Sequence, residues 1–334
     1  MNPVARVTRA RMLMGLAAAE CIVLAVGLLT INAVGDWGFV LSLRGSKLVT
    51  IALVAWAIPF STVLFHTLSN NQILTPSIMG FDALFVLVQT LGVFILGSVQ
   101  VSILDPHLVF AGELVVMSAF SMALYWLLYA RMSHAIEVLL LVGIICGVLF
   151  RSVAGLLQRL IDPGEFLVLQ DRLFASFNSA SSGEQACAAL IICLSTLWAW
   201  VRFPSLDAML LGRSGAVAVG VNYDRIAKET FLIVTLQVAA ATALVGPITF
   251  FGLLVVHLTY RLGELFKALE QLDQASLQAQ HRLTIPLSVL IGGTLLIGAQ
   301  VILERLLGFL GTVGMVVEFI GGIAFILLLI GSRK

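Results

Sequence analysis

Charged residues are scarce in this sequence. Asp, Glu, Lys and Arg make up 11% of the 334 residues, whereas they make up about 25% of an ordinary soluble domain. Hydrophobic residues account for 60% of the chain, and the mean hydropathy is +1.07. The formal net charge is +1, so no bulk field attracts nucleic acid or an acidic partner. This composition excludes a soluble globular protein and predicts an integral membrane protein.

Motifs of several site classes are also missing. The four cysteines lie inside apolar runs without a Cys-x-x-Cys pair, which argues against a zinc site and a disulfide framework. His66 and His257 have no second His, Cys, Asp or Glu three or four residues further on, so no metal site is predicted. The Gly-x-x-x-x-Gly-Lys-Ser/Thr phosphate loop is absent, which excludes ATP hydrolysis by that route. A membrane enzyme is not supported either, because potential ligands do not cluster at helical spacing.

Long apolar segments recur along the chain. A bilayer core about 30 Å thick requires a helix of about 20 apolar residues. The ten spans predicted with this length are 12–30, 48–68, 80–98, 108–130, 135–157, 184–203, 226–245, 246–262, 284–304 and 313–331. We therefore predict an all-α transmembrane domain over residues 1–334, with both termini on the same side of the membrane.

The seventh and eighth spans belong to one uncharged run, residues 231–260. A single helix over residues 225–261 would be about 55 Å long, far more than the bilayer thickness. The expected turn is at Gly246-Pro247, because proline lacks a backbone donor and glycine tolerates the required dihedral angles. A re-entrant eighth segment is the alternative to two full spans.

Lysine and arginine are unevenly distributed between the two sides of the predicted spans. With a cytoplasmic N-terminus, thirteen of the nineteen fall on the cytoplasmic side and six on the outer side. Basic loops are retained on the cytoplasmic side of a membrane. Both termini are therefore predicted to be cytoplasmic.

A few ionisable residues fall within the predicted spans. They are Glu20, Asp82, Glu113, Glu137, Arg151 and Glu318. Such groups are costly in hydrocarbon and are functional candidates by default, with Asp82 and Glu318 the stronger candidates for a transport pathway. Acids such as Glu113 or Glu318 would also serve an ion-coupled secondary transporter, which stays open as an alternative function.

The segment 66–80 carries a first recognisable motif. It resembles the stretch that joins the second and third helices in the permease subunits of iron-siderophore and cobalamin ABC importers. Asn71, Pro76 and Gly80 match that motif, and His66 stands where the family has glutamine. The arginine and the first proline of the family motif are replaced here by Asn70 and Gln72.

A second motif lies in segment 206–222. Five residues match the family signature Leu-Gly-x-x-x-Ala-x-x-Leu-Gly-Val-Asn: Gly212, Ala216, Gly220, Val221 and Asn222. Arg213 stands where an acidic residue is usual. The spacing of the signature is preserved.

A third motif, residues 246–257, resembles the family sequence Gly-Pro-Ile-x-Phe-x-Gly-Leu-x-x-Pro-His. Gly246, Pro247 and His257 match, and Val256 replaces the second proline. The resemblance extends from Arg44 to the C-terminus, with the motifs in the family order. The amino-acid sequence of segment 70–82 is similar to that of the catecholate-siderophore permeases, a subset of the family.

This resemblance implies a type II ABC importer permease in the bacterial inner membrane, and not an enzyme. It implies a second permease subunit, identical or paralogous, and a cytoplasmic ABC ATPase dimer that holds ATP and Mg²⁺. It also implies a periplasmic or lipid-anchored substrate-binding protein. The implied cargo is a ferric siderophore, and no cofactor or nucleic acid is expected in this chain.

The resemblance also assigns roles to residues. Segment 204–224 is the expected ATPase contact, with two short helical pieces, although glycines there also suit an ordinary loop. Arg44, Lys47 and Arg305 stand where the family presents basic residues to the binding protein. Arg44 and Lys47 have the alternative of anchoring a helix end in the headgroups. The remaining motif residues are expected along the translocation pathway: His66, Asn71, Pro76, Gly80, Gly246, Pro247 and His257.

Overall fold

The computed structural model describes residues 3–30, 36–129, 136–270, 281–308 and 311–331. Within these ranges the chain forms thirteen α-helices and no strand. The helices are α1 (Pro3–Thr30), α2 (Trp37–Ser69), α3 (Phe81–Leu96), α4 (Ser98–Ile103), α5 (Pro106–Leu124), α6 (Ile136–Gln158), α7 (Pro163–Leu173), α8 (Ser182–Met209), α9 (Gly212–Ala218), α10 (Tyr223–Val245), α11 (Phe251–Glu270), α12 (His281–Arg305) and α13 (Val313–Gly331). A 3₁₀ turn (Pro76–Met79) precedes α3, and a π-helical turn (Tyr125–Tyr129) continues α5.

Ten helices coincide with the ten predicted spans and confirm the all-α class. They are α1, α2, α3, α5, α6, α8, α10, α11, α12 and α13. In the described part of the chain, six helices are both long and apolar enough to cross a membrane, and four more apolar helices have shorter described stretches. The short helices α4, α7 and α9 lie in connections between spans. The span ends predicted at residues 130 and 135 lie outside the described residues.

Two helices are longer than the sequence indicates. α2 begins well before the predicted span because the Asp36 carboxylate caps it, accepting a hydrogen bond from the Gly38 backbone N–H at 2.9 Å. α8 continues through Pro204 to Met209, so the start of segment 204–224 belongs to a spanning helix. The prediction of two short helical pieces in that segment was wrong, since α9 is its single separate helix.

The centre of the bundle is formed by α2, α10 and α12. α2 packs against the other two, and α10 also contacts α5 and α8. The largest fully buried side chains at these contacts are aromatic: Phe60, Phe65, Phe203, Phe231 and Phe251. Lipid tails are as apolar as these side chains, so the helices are held by close packing and interhelical hydrogen bonds.

Glycines allow two neighbours to approach α2 closely. A Cβ atom on Gly252 of α11 would lie 2.3 Å from the Thr62 hydroxyl oxygen, and one on Gly292 of α12 would lie 3.0 Å from a ring carbon of Pro59. Both distances are too short for a side chain. The helices α2, α11 and α12 therefore depend on these glycines for their spacing.

The turn between α10 and α11 is at the predicted position. α10 ends at Val245, and Gly246 adopts φ +90, a left-handed conformation that disfavours other residues. The Val245 carbonyl accepts a hydrogen bond from the Ser176 backbone N–H at 2.9 Å, so the segment before α8 closes this end of α10. The chain thus reverses after Val245 and does not continue as one long helix.

Candidate functional site

The segment around α9 presents an exposed turn on one end of the bundle. Gly212 and Gly220 flank α9 with φ values of +78 and +87, and nothing lies within 4 Å of a Cβ atom placed on either. Backbone conformation, not packing, therefore requires glycine at these positions. Ala216 is fully buried, and α9 packs against α8. The Val221 backbone N–H donates to the Ala216 carbonyl at 3.0 Å and closes the turn.

Polar contacts tie α9 to the start of α10. The Arg213 guanidinium donates to the Asp224 carboxylate at 2.9 Å and lies 5.7 Å from the centre of the Tyr223 ring. The Asn222 side chain caps α10 by accepting a hydrogen bond from the Arg225 backbone N–H at 3.2 Å. Both members of the ion pair are about half exposed, so it contributes little stability and is open to a docking partner. The predicted coupling residues are thus together around α9, with Ala216 buried and the others at least partly exposed.

An ion network connects α8 and α10 beside this turn. The Glu229 carboxylate accepts hydrogen bonds from Arg202 and from Arg225, each at 2.9 Å. The sequence alone does not predict this network. The spacing of Arg225 and Glu229, four residues apart on one helix, was its one local signal.

His281 joins three helices at the same end of the bundle. Its ring is 1% exposed, its Nδ1 contacts the Asp207 carboxylate of α8, and its Nε2 lies 2.7 Å from the Thr67 hydroxyl of α2. The ring also stacks on Phe203 at 5.9 Å. His281 therefore links α12 to the helix that leads into α9, a role with no local sequence signal.

The structure brings two of the predicted pathway residues together. The rings of His66 in α2 and His257 in α11 are 6.2 Å apart, and Tyr260 lies 6.1 Å from the first and 6.5 Å from the second. His66 is 4% exposed. In the part of the chain that the structure describes, no three His, Cys, Asp or Glu side chains could share a metal ion. The three rings form an aromatic contact between α2 and α11, with His66 buried and the other two rings partly exposed.

The first motif forms the connection between α2 and α3. The Asn71 side chain accepts a hydrogen bond from the Ile73 backbone N–H at 2.9 Å, and the buried Pro76 opens the 3₁₀ turn. A Cβ atom on Gly80 would lie 3.1 Å from the Gly143 carbonyl oxygen and 3.1 Å from the Gly147 Cα of α6. Gly80 thus permits close contact with α6. Gly246 and Pro247 follow the end of α10.

The buried acid Glu113 has a hydrogen-bonding partner within the bundle. Its carboxylate is 5% exposed and accepts a hydrogen bond from the Gln89 amide at 2.6 Å. Asp82 is 7% exposed and interacts electrostatically with Arg151 of α6 and Glu318 of α13. The side chain of Glu137 lies outside the described residues.

The three predicted docking residues lie around one cavity of about 330 Å³. Arg44, Lys47 and Arg305 all line it, at the end of the bundle opposite α9. The Arg44 guanidinium donates to the carbonyls of Leu28 and Leu29 at 3.1 and 3.0 Å. These carbonyls are at the C-terminal end of α1, so Arg44 caps that helix.

Lys47 has a structural partner in the same cavity. Its ammonium group pairs with the Glu304 carboxylate, and the two side chains are 13% and 7% exposed. The Gln300 amide donates to the same carboxylate at 2.6 Å. Arg44 and Lys47 therefore hold α1, α2 and α12 together, in addition to any contact with a partner.

Sequence comparison finds one family and close relatives. Residues 13–331 match the profile of the FecCD transport family. The petrobactin import system permease protein YclO of Bacillus subtilis is 37% identical over 93% of this chain and 95% of its own length. The petrobactin import system permease protein FatC of Bacillus anthracis is 31% identical over 86% of this chain and 77% of its own length. A vitamin B12 import system permease protein, BtuC of Vibrio parahaemolyticus, is 25% identical over 88% of this chain and 83% of its own length.

Solved structures share the fold. One, described as an inward-facing conformation in the class of metal-chelate type ABC transporters, has a TM-score of 0.80 over 96% of this chain and 99% of that chain. The identity is 18%, so the likeness concerns the fold alone. PsaBC from Streptococcus pneumoniae in complex with Fab has a TM-score of 0.58 at 15% identity. The expected type II importer permease fold is confirmed.

Replacement of Lys47 tests its structural role. Lys47→Met leaves the Glu304 carboxylate nearly buried without its cation, and breaking one side of a buried ion pair costs about 3–5 kcal/mol. We expect a lower thermal transition of the purified protein in detergent. The double variant Lys47→Met/Glu304→Gln removes both charges and should recover most of the loss. An unchanged transition in Lys47→Met would contradict the structural role.

Proposed function

This chain belongs to the FecCD transport family, and from that premise we propose that it carries a ferric siderophore of the catecholate type across the bacterial inner membrane. The chain is the permease subunit of an ABC importer, a transporter component and not an enzyme. The observation that carries the cargo assignment is its 37% identity to a petrobactin import permease over 93% of its length. Family membership also decides against the ion-coupled secondary transporter.

An ABC importer permease works with an ATPase and a substrate-binding protein. The finer composition is part of the proposal: a second permease, identical or paralogous, an ATPase dimer on the cytoplasmic side, and a periplasmic or lipid-anchored binding protein. The chain is a multi-pass inner-membrane protein, and we place both termini in the cytoplasm. The excess of Lys and Arg on that side supports this orientation.

The geometry of α9 supports its role as the ATPase contact. It is exposed, it is closed by two glycines, and the Arg213–Asp224 pair at its edge is accessible. A displacement of α9 would reach α8, because the two helices pack against each other. His281 would pass that displacement from α8 to α2 and α12 through Asp207 and Thr67. Such a route couples nucleotide-driven motion to the central helices.

Co-expression of this chain with a neighbouring ATPase and binding protein tests the proposed function. The complex is purified, reconstituted in vesicles and assayed with radioiron-labelled ferric petrobactin, the cargo named for its relatives. We expect uptake that requires ATP and survives dissipation of the proton gradient. Uptake that stops with the gradient would favour the ion-coupled alternative, and failure to form a complex with the ATPase would reject the proposal.

The variant Gly220→Asp tests the coupling surface. Its carboxylate would stand at an exposed turn and obstruct close docking of the ATPase, while the apolar spans stay undisturbed. We expect normal insertion in the membrane and a decrease in ATP-driven uptake of about tenfold, the effect of about 1.4 kcal/mol. Gly220→Asn is the matched control, because asparagine also tolerates a left-handed backbone and has no charge. Wild-type uptake in Gly220→Asp would place Gly220 outside the coupling surface.

The variant Arg305→Glu tests docking of the binding protein. Arg305 ends α12 and lines the outer cavity, where a reversed charge would repel acidic residues of the partner. We expect weaker stimulation of the ATPase by the binding protein, with basal hydrolysis unchanged. Salt screens exposed charges over about 8 Å at physiological ionic strength, so the defect should shrink as salt rises. A defect that persists at high salt would indicate a structural role for Arg305.

A further inference from the structure

A groove of about 700 Å³ runs along the end of α6 that leads into α7. Arg151, Gln158 and Arg159 line it together with Gly155, and Phe166 of α7 forms one edge. A Cβ atom on Gly155 would meet nothing within 4 Å, so the floor between the two arginines is open. The groove lies outside the surfaces formed by α9 and by the Arg44 cavity. Under the predicted orientation it lies in the outer half of the membrane.

The position of Arg151 indicates that the groove does not face lipid. Arg151 is exposed on α6, seven residues before the helix ends at Gln158, which is about 10 Å along the axis. A charged side chain at such depth is costly against hydrocarbon and almost always faces a polar cavity or a partner. The surface of α6 that carries Arg151 therefore borders water or another subunit.

The groove is positive because its lining contains no acid. The nearest acids in the sequence do not line it: Asp162 caps α7 by accepting a hydrogen bond from the Gly164 backbone N–H at 2.9 Å, and Glu165 lies in the first turn of α7. The Gln158 amide donates to the Thr90 hydroxyl at 3.1 Å. Among the described residues, Asp82 is the acid that interacts electrostatically with Arg151, and it approaches from the buried side.

We infer that this groove is an anion-binding site on the route of the cargo, in which Arg151 and Arg159 hold a negatively charged ferric catecholate. The inference rests on the proposed function. A catechol loses two protons when it binds Fe(III), so a complex with two or more such rings has a net negative charge. Guanidinium groups offer paired donors to adjacent oxygens. The volume suits a small-molecule site, and Phe166 offers an apolar edge to the catechol rings.

Transport by arginine variants tests the site in the complete reconstituted transporter. Arg151→Gln and Arg159→Gln should each reduce uptake of ferric petrobactin by about tenfold, the effect of losing one charge-assisted contact. Arg151→Lys keeps the charge and should retain most of the uptake. Arg172→Gln is the matched control, because Arg172 donates to Ser102 at 3.0 Å and does not line the groove. Its uptake should equal that of the wild type.

A lipid headgroup phosphate has the same anionic chemistry, and a second measurement separates it from the cargo. ATPase stimulation by the cargo-loaded binding protein is measured in a phosphate-free maltoside detergent. If the arginines hold cargo, ATPase stimulation of the variants remains lower than that of the wild type in this detergent. If they hold lipid phosphate, the variants and the wild type show equal stimulation. The second outcome would overturn the inference.

The remaining outcomes are also decisive. Wild-type uptake in both glutamine variants would overturn the inference and leave the proposed function intact. Absence of uptake by the wild-type transporter would reject the proposed function itself. If Arg151→Gln does not assemble because Asp82 loses its cation, Arg159→Gln decides, since Arg159 lies beyond the end of α6 and has no ion pair among the described residues.

Discussion

Polar groups inside a bilayer must find their partners within the protein, because the hydrocarbon core contains no water to bind them. Several polar side chains of the central helices find such partners on a neighbouring helix. The Gln237 amide of α10 lies 3.0 Å from each of the Ser195 and Thr196 hydroxyls of α8. Trp56 of α2 donates to the same Thr196 hydroxyl at 3.0 Å. These contacts determine which face each of α2, α8 and α10 turns toward its neighbours. Close packing of apolar side chains alone does not determine this.

Further pairs hold α2 at both ends. At one end the Gln185 amide of α8 lies 2.8 Å from the Ser46 hydroxyl and 2.9 Å from the Thr50 hydroxyl. At the other end His281 contacts Thr67. α2 therefore contacts α8 directly at one end and in the middle, and at the other end through His281 and Asp207. The helix that leads into α9 is thus bonded to the centre of the bundle.

The sequence predicts those features that arise from neighbouring residues. Ten spans follow from apolar length, and the turn at Gly246 follows from proline and glycine chemistry. The ion pair of Lys47 with Glu304 joins positions 257 residues apart, so no local pattern indicates it. The bonds of Arg44 to the end of α1 depend in the same way on the angle between two helices. A family resemblance finds such residues, but it does not separate a partner contact from a contact that stabilises the fold.

The partners of the basic residues make this separation possible. Arg202 and Arg225 both pair with Glu229, and Arg213 pairs with Asp224, so each of these arginines has an acidic partner on α10 at the end of the bundle that carries α9. A count of Lys and Arg assigns these residues to topology alone, although they also fasten α8 and α9 to α10. Along the groove of α6 no lining acid matches Arg151 and Arg159. An anion that enters this groove therefore meets two arginines and no lining acid, whereas Asp82, the buried acid that interacts with Arg151, does not line the groove.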